Sequence, residues 1–504
     1  MRTIATIQDG RYCLVRITKA DREKLEKHLY RRYPRREWGS FFRFGFRRTS
    51  WGLALSYMDG LWPDAGDLDR QSAITTFTSQ YTLRAFRTAE RKEVAIGVIH
   101  SHPQGCWTSP SALDDDMDGY YSKEFMAYSG GFPYCSLIFQ RDSDGRFSFT
   151  GRVFDRGEWL PVREMLTVGF PIERETAENV QLAETTDAAS ADGEESTTAR
   201  LESLFQLKGK ERLIRSTVGV VGCSGTGSPA IHVLARACVG NFVVVDPQRL
   251  GRSNLERQHG SVFADLGGDE MPYKVELMRR MILSINPKAH VTALVGNVLD
   301  EDVLHELLRC DLLLGCSDTQ HAKVMLSDIA KHYLLPSIDV GVLMEGKDGK
   351  LASQLAEFFQ YAPNLPCAFC SGRIDSGKLA EELMSEDEIN RRIEAAEDAR
   401  RRGQAPDQYW QGRAPQLHTV GYMTTTAGSL AAGYAEGWLT GAFSIPHSSF
   451  QFDMGQPRFG FAEQPRFQRP NCICREQIGW ADQARAFRNV SKPKHWPRKA
   501  LRIA

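Results

Sequence analysis

The chain has 504 residues, 63 basic and 63 acidic side chains, and 11 cysteines. That length exceeds what one hydrophobic core usually supports, so two or three domains are expected. At 42% apolar and 25% charged residues with zero formal net charge, the composition excludes a wholly disordered or fibrous chain and offers no global field for nucleic acid or anionic membrane. No run of about 18 apolar residues exists, so no membrane span is expected. The start, MRTIATIQDGRYC, lacks the apolar core of a signal peptide. A cytoplasmic protein with reduced thiols is expected, in which closely spaced cysteines point to metal rather than to disulfides.

Residues 1–170 combine a helix-like stretch over 20–32 with short apolar strands, VAIGVIH (94–100) and YCSLIF (134–139). Residues 171–199 are acidic, rich in Ala, Ser and Thr and free of aromatic side chains, the composition of a flexible linker. From 200 to 485 the pattern is α/β. A polar helix leads into TVGVVG (217–222), followed by NFVVVD (241–246), HVTALVG (290–296), DLLLGCS (311–317) and LLPSIDVGV (334–342). Strands alternating with helices predict a doubly wound, Rossmann-like parallel sheet. The stretch 379–402 predicts one charged, solvent-exposed helix, and 418–441 a buried helix near the sheet. Residues 486–504, with KPKHWPRK at 492–499, read as a solvated basic tail.

The segment IHSHPQGCWTSPSALDDDMD (99–118) carries the first chemistry. In an extended strand His100 and His102 point to one face, and Asp114 lies beyond a loop at a helix start. Two imidazoles and a carboxylate make a three-ligand zinc site with a fourth position open for water, whose pKa the metal lowers. Glu37 is the candidate general base. The order Glu, H-x-H-P, S-x-x-D resembles the JAMM/MPN metalloprotease family. The resemblance implies an α+β domain over 1–170 that cleaves after the tail of a ubiquitin-like protein. It also implies zinc ligands at His100, His102 and Asp114, a base at Glu37 and oxyanion support from Ser111. The loop from His102 to Ser111 is one residue longer than usual, so Asp115 and Asp116 stay open as alternatives to Asp114. Cys106 stays open as a fourth ligand.

The segment VVGCSGTGSPA (220–230) carries the second. Gly222, Gly225 and Gly227 let the backbone approach phosphates at a helix N-terminus, and Asp246 ends the next strand, where a ribose-binding carboxylate belongs. Arg252, Asn254, Arg257, Gln258 and Lys274 follow, and Asp318 ends a later strand. A hydride-transfer enzyme has no need of this cluster, whereas one that makes pyrophosphate a leaving group does. Arg and Lys would neutralise the triphosphate and Asp318 would hold Mg²⁺. The set, with SNLERQ at 253–258, resembles the ubiquitin-activating superfamily that includes the adenylyltransferases of thiamine and molybdopterin synthesis. It implies an ATP-dependent adenylyltransferase with catalytic Arg257, Lys274 and Asp318. Departures are Ser224, Gln248 and Thr319.

Cys367 and Cys370 (C-A-F-C) with Cys472 and Cys474 (C-I-C) supply four thiolates, the count for a structural zinc site. No cysteine lies between Cys370 and Cys472, where thioester-forming activating enzymes carry the nucleophile. Ser371, Ser376 and Thr419 are the hydroxyls considered for an oxyester.

Together the resemblances imply a bifunctional enzyme of the kind found in bacterial ubiquitin-like conjugation systems, some serving antiviral defence. One domain cleaves after the tail of a ubiquitin-like protein; the other adenylates the exposed glycine carboxylate with Mg-ATP. The implied partners are that ubiquitin-like protein, a conjugating-enzyme-like protein and a second copy in a homodimer. Two alternatives are processing and adenylation of a sulfur carrier in thiamine, cysteine or molybdopterin synthesis, and a non-catalytic scaffold that binds a ubiquitin-like protein.

Overall fold

The computed structural model describes residues 10–32, 34–71, 75–92, 94–106, 108–178, 197–403, 419–444, 447–455, 460–463, 466–484, 490–497 and 499–503. It divides into two compact units. Unit 1 comprises Met1–Thr197 with Lys331–Leu335 and Glu476–Arg485; unit 2 comprises Thr198–Ala330, Pro336–Arg475 and Ala486–Ala504. Among the described residues no helix is long and apolar enough to cross a membrane.

Unit 1 runs β1 (Tyr12–Thr18), α1 (Lys19–Leu29), β2 (Trp38–Thr49), β3 (Gly52–Leu61), β4 (Leu68–Gln71), β5 (Thr75–Phe77), α2 (Ser79–Lys92), β6 (Ala95–Ser101), α3 (Ala112–Ser129), β7 (Tyr134–Arg141), β8 (Phe147–Asp155), β9 (Glu158–Val168) and β10 (Glu173–Thr176). Eight strands form one sheet in the order β1-β3-β2-β6-β7-β8-β9-β10, and β1 also pairs with β9, which gives a barrel-like closure. The alternation of β2 explains its two packed faces. Phe42, Phe44 and Phe46 enter one core with Leu25 and Leu29 of α1. Phe41 joins a second core with Tyr81 and Phe86 of α2 and Tyr121 and Phe125 of α3. The stretch expected as a linker from residue 171 begins with β10, paired antiparallel to β9. Residues 179–196 of that stretch lie outside the described residues.

Unit 2 runs α4 (Ala199–Arg215), β11 (Thr217–Val221), α5 (Gly227–Arg236), β12 (Asn241–Val245), α6 (Lys274–Ile285), β13 (His290–Val295), α7 (Glu301–Leu307), β14 (Leu312–Gly315), α8 (Gln320–His332), β15 (Ser337–Lys347), β16 (Lys350–Tyr361), α9 (Ser376–Glu382), α10 (Glu386–Arg401), α11 (Gly421–Thr440), β17 (Ser449–Asp453), β18 (Gly460–Glu463) and β19 (Leu501–Ile503). The sheet order is β18-β17-β16-β15-β14-β11-β12-β13-β19. Its five central strands, β13-β12-β11-β14-β15, are parallel. Val218, Val220, Val244 and Leu312–Leu314 are fully buried, as strands covered by helices on both faces require. The chain order reverses between β11 and β14, and a crevice opens at such a switch point outside the strands' carboxyl ends.

Two expectations change. The predicted single helix over 379–402 is α9 and α10, separated where Ser385 caps Glu388 N–H; no residue of α10 is buried. The predicted solvated tail is partly structured. Leu501–Ile503 pairs antiparallel with Val295–Ala293, and Lys492 pairs with buried Asp300. The sequence signal there was charge, and it hid a short apolar strand.

Candidate functional sites

In unit 1 the metal-type cluster is built by one strand end and one helix start. Antiparallel pairing sets Gly39 of β2 opposite His100 of β6, and Trp38 opposite Ser101, so Glu37 stands at the level of His102. A side chain at position 39 would press on His100 Cβ at 3.1 Å, which accounts for glycine there. Ser111 caps α3 in a reciprocal box: its Oγ accepts Asp114 N–H at 3.2 Å, and Asp114 Oδ2 accepts Ser111 N–H at 2.7 Å. The box fixes Asp114 beneath the imidazoles. His100 Nε2 lies 3.2 Å from Asp114 Oδ1, His102 Nε2 3.6 Å from Asp114 Oδ2, and Glu37 Oε1 4.0 Å from His102 Nε2.

Burial would raise the Asp114 carboxyl, but the two imidazoles and Ser111 hold it far below the usual carboxylate range. The Nδ1 of His100 is buried with no hydrogen-bond partner among the described residues. Imidazole nitrogens that converge on one carboxylate at 3.2 and 3.6 Å form an arrangement that a cation can bridge. Tetrahedral ligands about 2.1 Å from zinc stand about 3.4 Å apart, which the 3.2 and 3.6 Å contacts bracket. The donor set therefore fits zinc, with His100, His102 and Asp114 as its holders. Asp115 pairs instead with Arg152; Asp116 and Cys106 are not among the gathered ligand atoms. Phe77, Val98, Leu113 and Met117 wall the pocket beside the triad, a lining no motif announced.

In unit 2 the motif residues line the carboxyl edge of β11, β12 and β14. Gly222 has φ +96°, and a Cβ on Gly227 would lie 1.9 Å from Gly222 O, so the turn from β11 into α5 tolerates no side chain. Gly225 faces Arg257 Cδ and Thr424 of α11. Asp246 is buried and accepts Cys223 N–H and Gln248 N–H, each at 2.8 Å. Burial raises its carboxyl, and Lys274 and those two N–H groups oppose the rise. Lys274 Nζ, also buried, donates to Gln248 Oε1 at 2.7 Å. Asn254 Oδ1 accepts Gly251 N–H in the short 3₁₀ turn Arg252–Asn254. Arg257 donates to Glu256 and to Ser253 O. Asp318 is exposed just beyond β14, and Lys323 Nζ donates to its carbonyl at 2.9 Å.

Gln258 is 3% exposed, yet among the described residues neither its Oε1 nor its Nε2 has a hydrogen-bond partner. A buried amide without partners costs about 1–3 kcal/mol. That orphan, the side-chain-free loop, and cations along one edge fit a polyphosphate nucleotide; the exposed Asp318 carboxylate fits Mg²⁺.

The four cysteines Cys367, Cys370, Cys472 and Cys474 also meet in unit 2. Cys367 Sγ lies 3.7 Å from Cys472 Sγ and Cys370 Sγ 3.9 Å from Cys474 Sγ. Thiolates about 2.3 Å from a tetrahedral zinc stand about 3.8 Å apart. Arg469 N–H and Cys370 N–H point at the sulfurs of Cys370 and Cys367. Ser371 beside them is 1% exposed, which removes it as an accessible nucleophile. Ser376 opens α9 and Thr419 precedes α11.

The ThiF family model matches residues 197–475, more than half of the chain. The chain belongs to the ThiF family. The ThiF-type segment covers the Gly-rich loop, the carboxyl-edge cluster and the four cysteines, and unit 2 is its α/β, Rossmann-type domain. It is similar to the adenylyltransferase and sulfurtransferase MOCS3 of Drosophila virilis, 31% identical over 166 residues, covering 33% of this chain and 34% of that protein. It is also similar to the SAMP-activating enzyme E1 of Haloferax volcanii, 32% identical, covering 32% of this chain and 56% of that one. The molybdopterin-synthase adenylyltransferase of Haemophilus influenzae is 32% identical, with 31% and 60% covered. The chain thus spans between a third and three fifths of the length of these relatives. A structure of E. coli MccB superposes with TM-score 0.42 at 18% identity, covering 56% of this chain and 75% of that one.

Proposed function

We propose that the ThiF-type unit adenylates the C-terminal carboxylate of a ubiquitin-like or sulfur-carrier protein, and that unit 1 is a JAMM/MPN-type zinc hydrolase acting on the same tail. The observation that carries the reading is the overlap of two things on one segment: family membership over 197–475, and the edge cluster of Gln258, Lys274 and Asp318 around a loop without side chains. The names of the relatives, which activate SAMP or serve molybdopterin synthase, point to the same class of acceptor.

In unit 2 Arg252, Arg257 and Lys274 neutralise the triphosphate; Lys274 exchanges Gln248 for a phosphate oxygen. Asp246 takes the ribose hydroxyls, Asn254 and Gln258 bind polar groups of the nucleotide, and Asp318 holds Mg²⁺. A tail carboxylate oxygen attacks the α-phosphorus. The bond to the bridging oxygen breaks, and pyrophosphate leaves with the electron pair. In unit 1, zinc, when bound, supplies a water of lowered pKa and polarises the scissile carbonyl. Glu37 would accept a proton from the attacking water and pass it to the leaving amine. The Ser111 hydroxyl, whose Oγ already accepts from Asp114 N–H, donates its own proton to the developing oxyanion. The four cysteines hold a second, structural zinc.

Conjugation and sulfur transfer share these steps. A cysteine-free interval between Cys370 and Cys472 favours direct passage of the adenylate, as a sulfur-carrier system needs. Conjugation would add a conjugating-enzyme-like acceptor, and a homodimer is our expectation for the assembly. ATP–pyrophosphate exchange, dependent on a ubiquitin-like protein ending in glycine, tests the reading. Asp318→Ala is expected to lower exchange about 100-fold or more, and His102→Ala to abolish tail cleavage with exchange intact. Loss of both activities in either variant would overturn two independent sites. Full exchange in Asp318→Ala would leave the scaffold alternative.

A further inference from the structure

Helix α8 begins two residues after Asp318, and its first N–H groups are capped from elsewhere in the chain. Glu382, the last residue of α9 and 62 positions downstream of Gln320, does this from a distance. Its Oε1 accepts Gln320 N–H at 2.8 Å, and its Oε2 accepts both His321 N–H at 2.9 Å and His321 Nδ1 at 2.8 Å. A fourth bond runs back from Asp375 N–H to Gln320 Oε1 at 2.9 Å. A carboxylate at a helix N-terminus is doubly favoured, by the orphan donors and by the helix dipole.

The far side of His321 is also fixed. Asn297 Oδ1 accepts Leu299 N–H at 3.0 Å, so its Nδ2 is the group that meets His321 Nε2 at 3.0 Å. With Nδ1–H committed to Glu382, Nε2 is the acceptor, and one tautomer satisfies both neighbours. Trp496 covers the ring edge-on at 5.1 Å between centroids. Between this clamp and β14 lies the four-residue turn Cys316–Thr319. It is held internally by Ser317 and Thr319 at 3.0 Å and by Lys323 on the Asp318 carbonyl. The Asp318 backbone is thus pinned on both sides while its carboxylate faces solvent.

We propose that Glu382 is a positioning residue for Asp318, acting through His321 and the first turn of α8 to hold the carboxylate where Mg²⁺ must sit. The proposal rests on the adenylation reading. It also gives the segment after Cys370 a task in nucleotide binding, since α9 carries the clamp.

The test is calorimetric titration of the full chain with ATP, once with excess EDTA and once with saturating MgCl₂. Zinc content and thermal melting establish that each variant is folded. Glu382→Ala should keep the EDTA affinity within about two-fold and lose roughly ten-fold of the magnesium-dependent gain, the scale of a lost charge-assisted hydrogen bond. Glu382→Gln, retaining one acceptor oxygen, should fall between. His321→Phe keeps both backbone bonds and should lose about two- to three-fold. Asp318→Ala should lose the whole magnesium-dependent gain. Equal losses with EDTA and with magnesium would mean a general structural role and overturn the proposal, as would an unchanged Glu382→Ala beside a deficient Asp318→Ala. If the wild-type chain binds no ATP, or Asp318→Ala matches it, the adenylation reading itself fails and the proposal falls with it.

Discussion

The two candidate sites are built on opposite plans. In unit 1 three atoms of metal-ligating type, on His100, His102 and Asp114, stand within 4.8 Å of one another. Along the carboxyl edge of unit 2 three charged groups are occupied with protein partners: Lys274 with Gln248, Arg257 with Glu256, Asp246 with two backbone N–H groups. A metal ion is smaller than its ligand sphere and needs convergence. A triphosphate is long and is better met by a row of donors that exchange one partner for another. A motif is thus equally legible in both units while the readiness of the site differs.

The largest expected effect separates metal that builds from metal that reacts. Cys370→Ser should halve the bound zinc and lower the melting of unit 2 by more than roughly 10 °C, since structural zinc carries folding energy. Elemental analysis with calorimetry reads both; unchanged zinc would remove the four-thiolate site. Asp114→Asn should remove the other half of the zinc and lower hydrolysis by about 1,000-fold, with unit 2 melting within about 1 °C. A fall in both transitions would break the distinction between the sites.

The latent character of the second site is sharpened by Gln258→Leu. Replacing an orphaned amide by an apolar group of comparable volume should raise the melting of the nucleotide-free protein by about 2–4 °C while weakening ATP about ten-fold. Lower stability with unchanged affinity would show that the amide serves the fold and not a ligand. The smallest effect concerns α11, which lies over the nucleotide loop through Thr424 and Gly428. Burial pushes the Glu436 carboxyl on this helix up to about 7. The native state then binds a proton that the unfolded state, at its ordinary value of 4.5, has released. Stability therefore falls as pH rises from 4.5 to about 7, and the cost is complete above that. Glu436→Gln should raise melting by a few degrees near pH 8 and by about nothing near pH 4; an equal gain at both would assign the effect to packing.

Much of unit 2 was legible because a parallel strand buried on both faces reads as a continuous apolar run: TVGVVG and NFVVVD lie within a residue of β11 and β12. The barrel-like closure of unit 1 was not legible, because β1–β9 pairing joins residues about 150 apart and leaves no local trace. Motif spacing named His100, His102 and Asp114, whose distances only tertiary structure sets. It missed Glu382, since a carboxylate that caps another helix from a charged stretch looks like any exposed glutamate. The C-terminal strand was missed for the opposite reason: Lys and Arg around it outweighed three residues of β19.

That strand has a practical consequence. Leu501–Ile503 lies along Ala293–Val295, which would otherwise present an open row of peptide donors and acceptors. Cutting the gene before codon 501, or forcing a rigid fusion onto this strand, would bare that edge to other molecules. The resulting loss would register as turbidity in concentrated samples before any change in chemistry, and a preparation trimmed for crystallisation should keep these three residues.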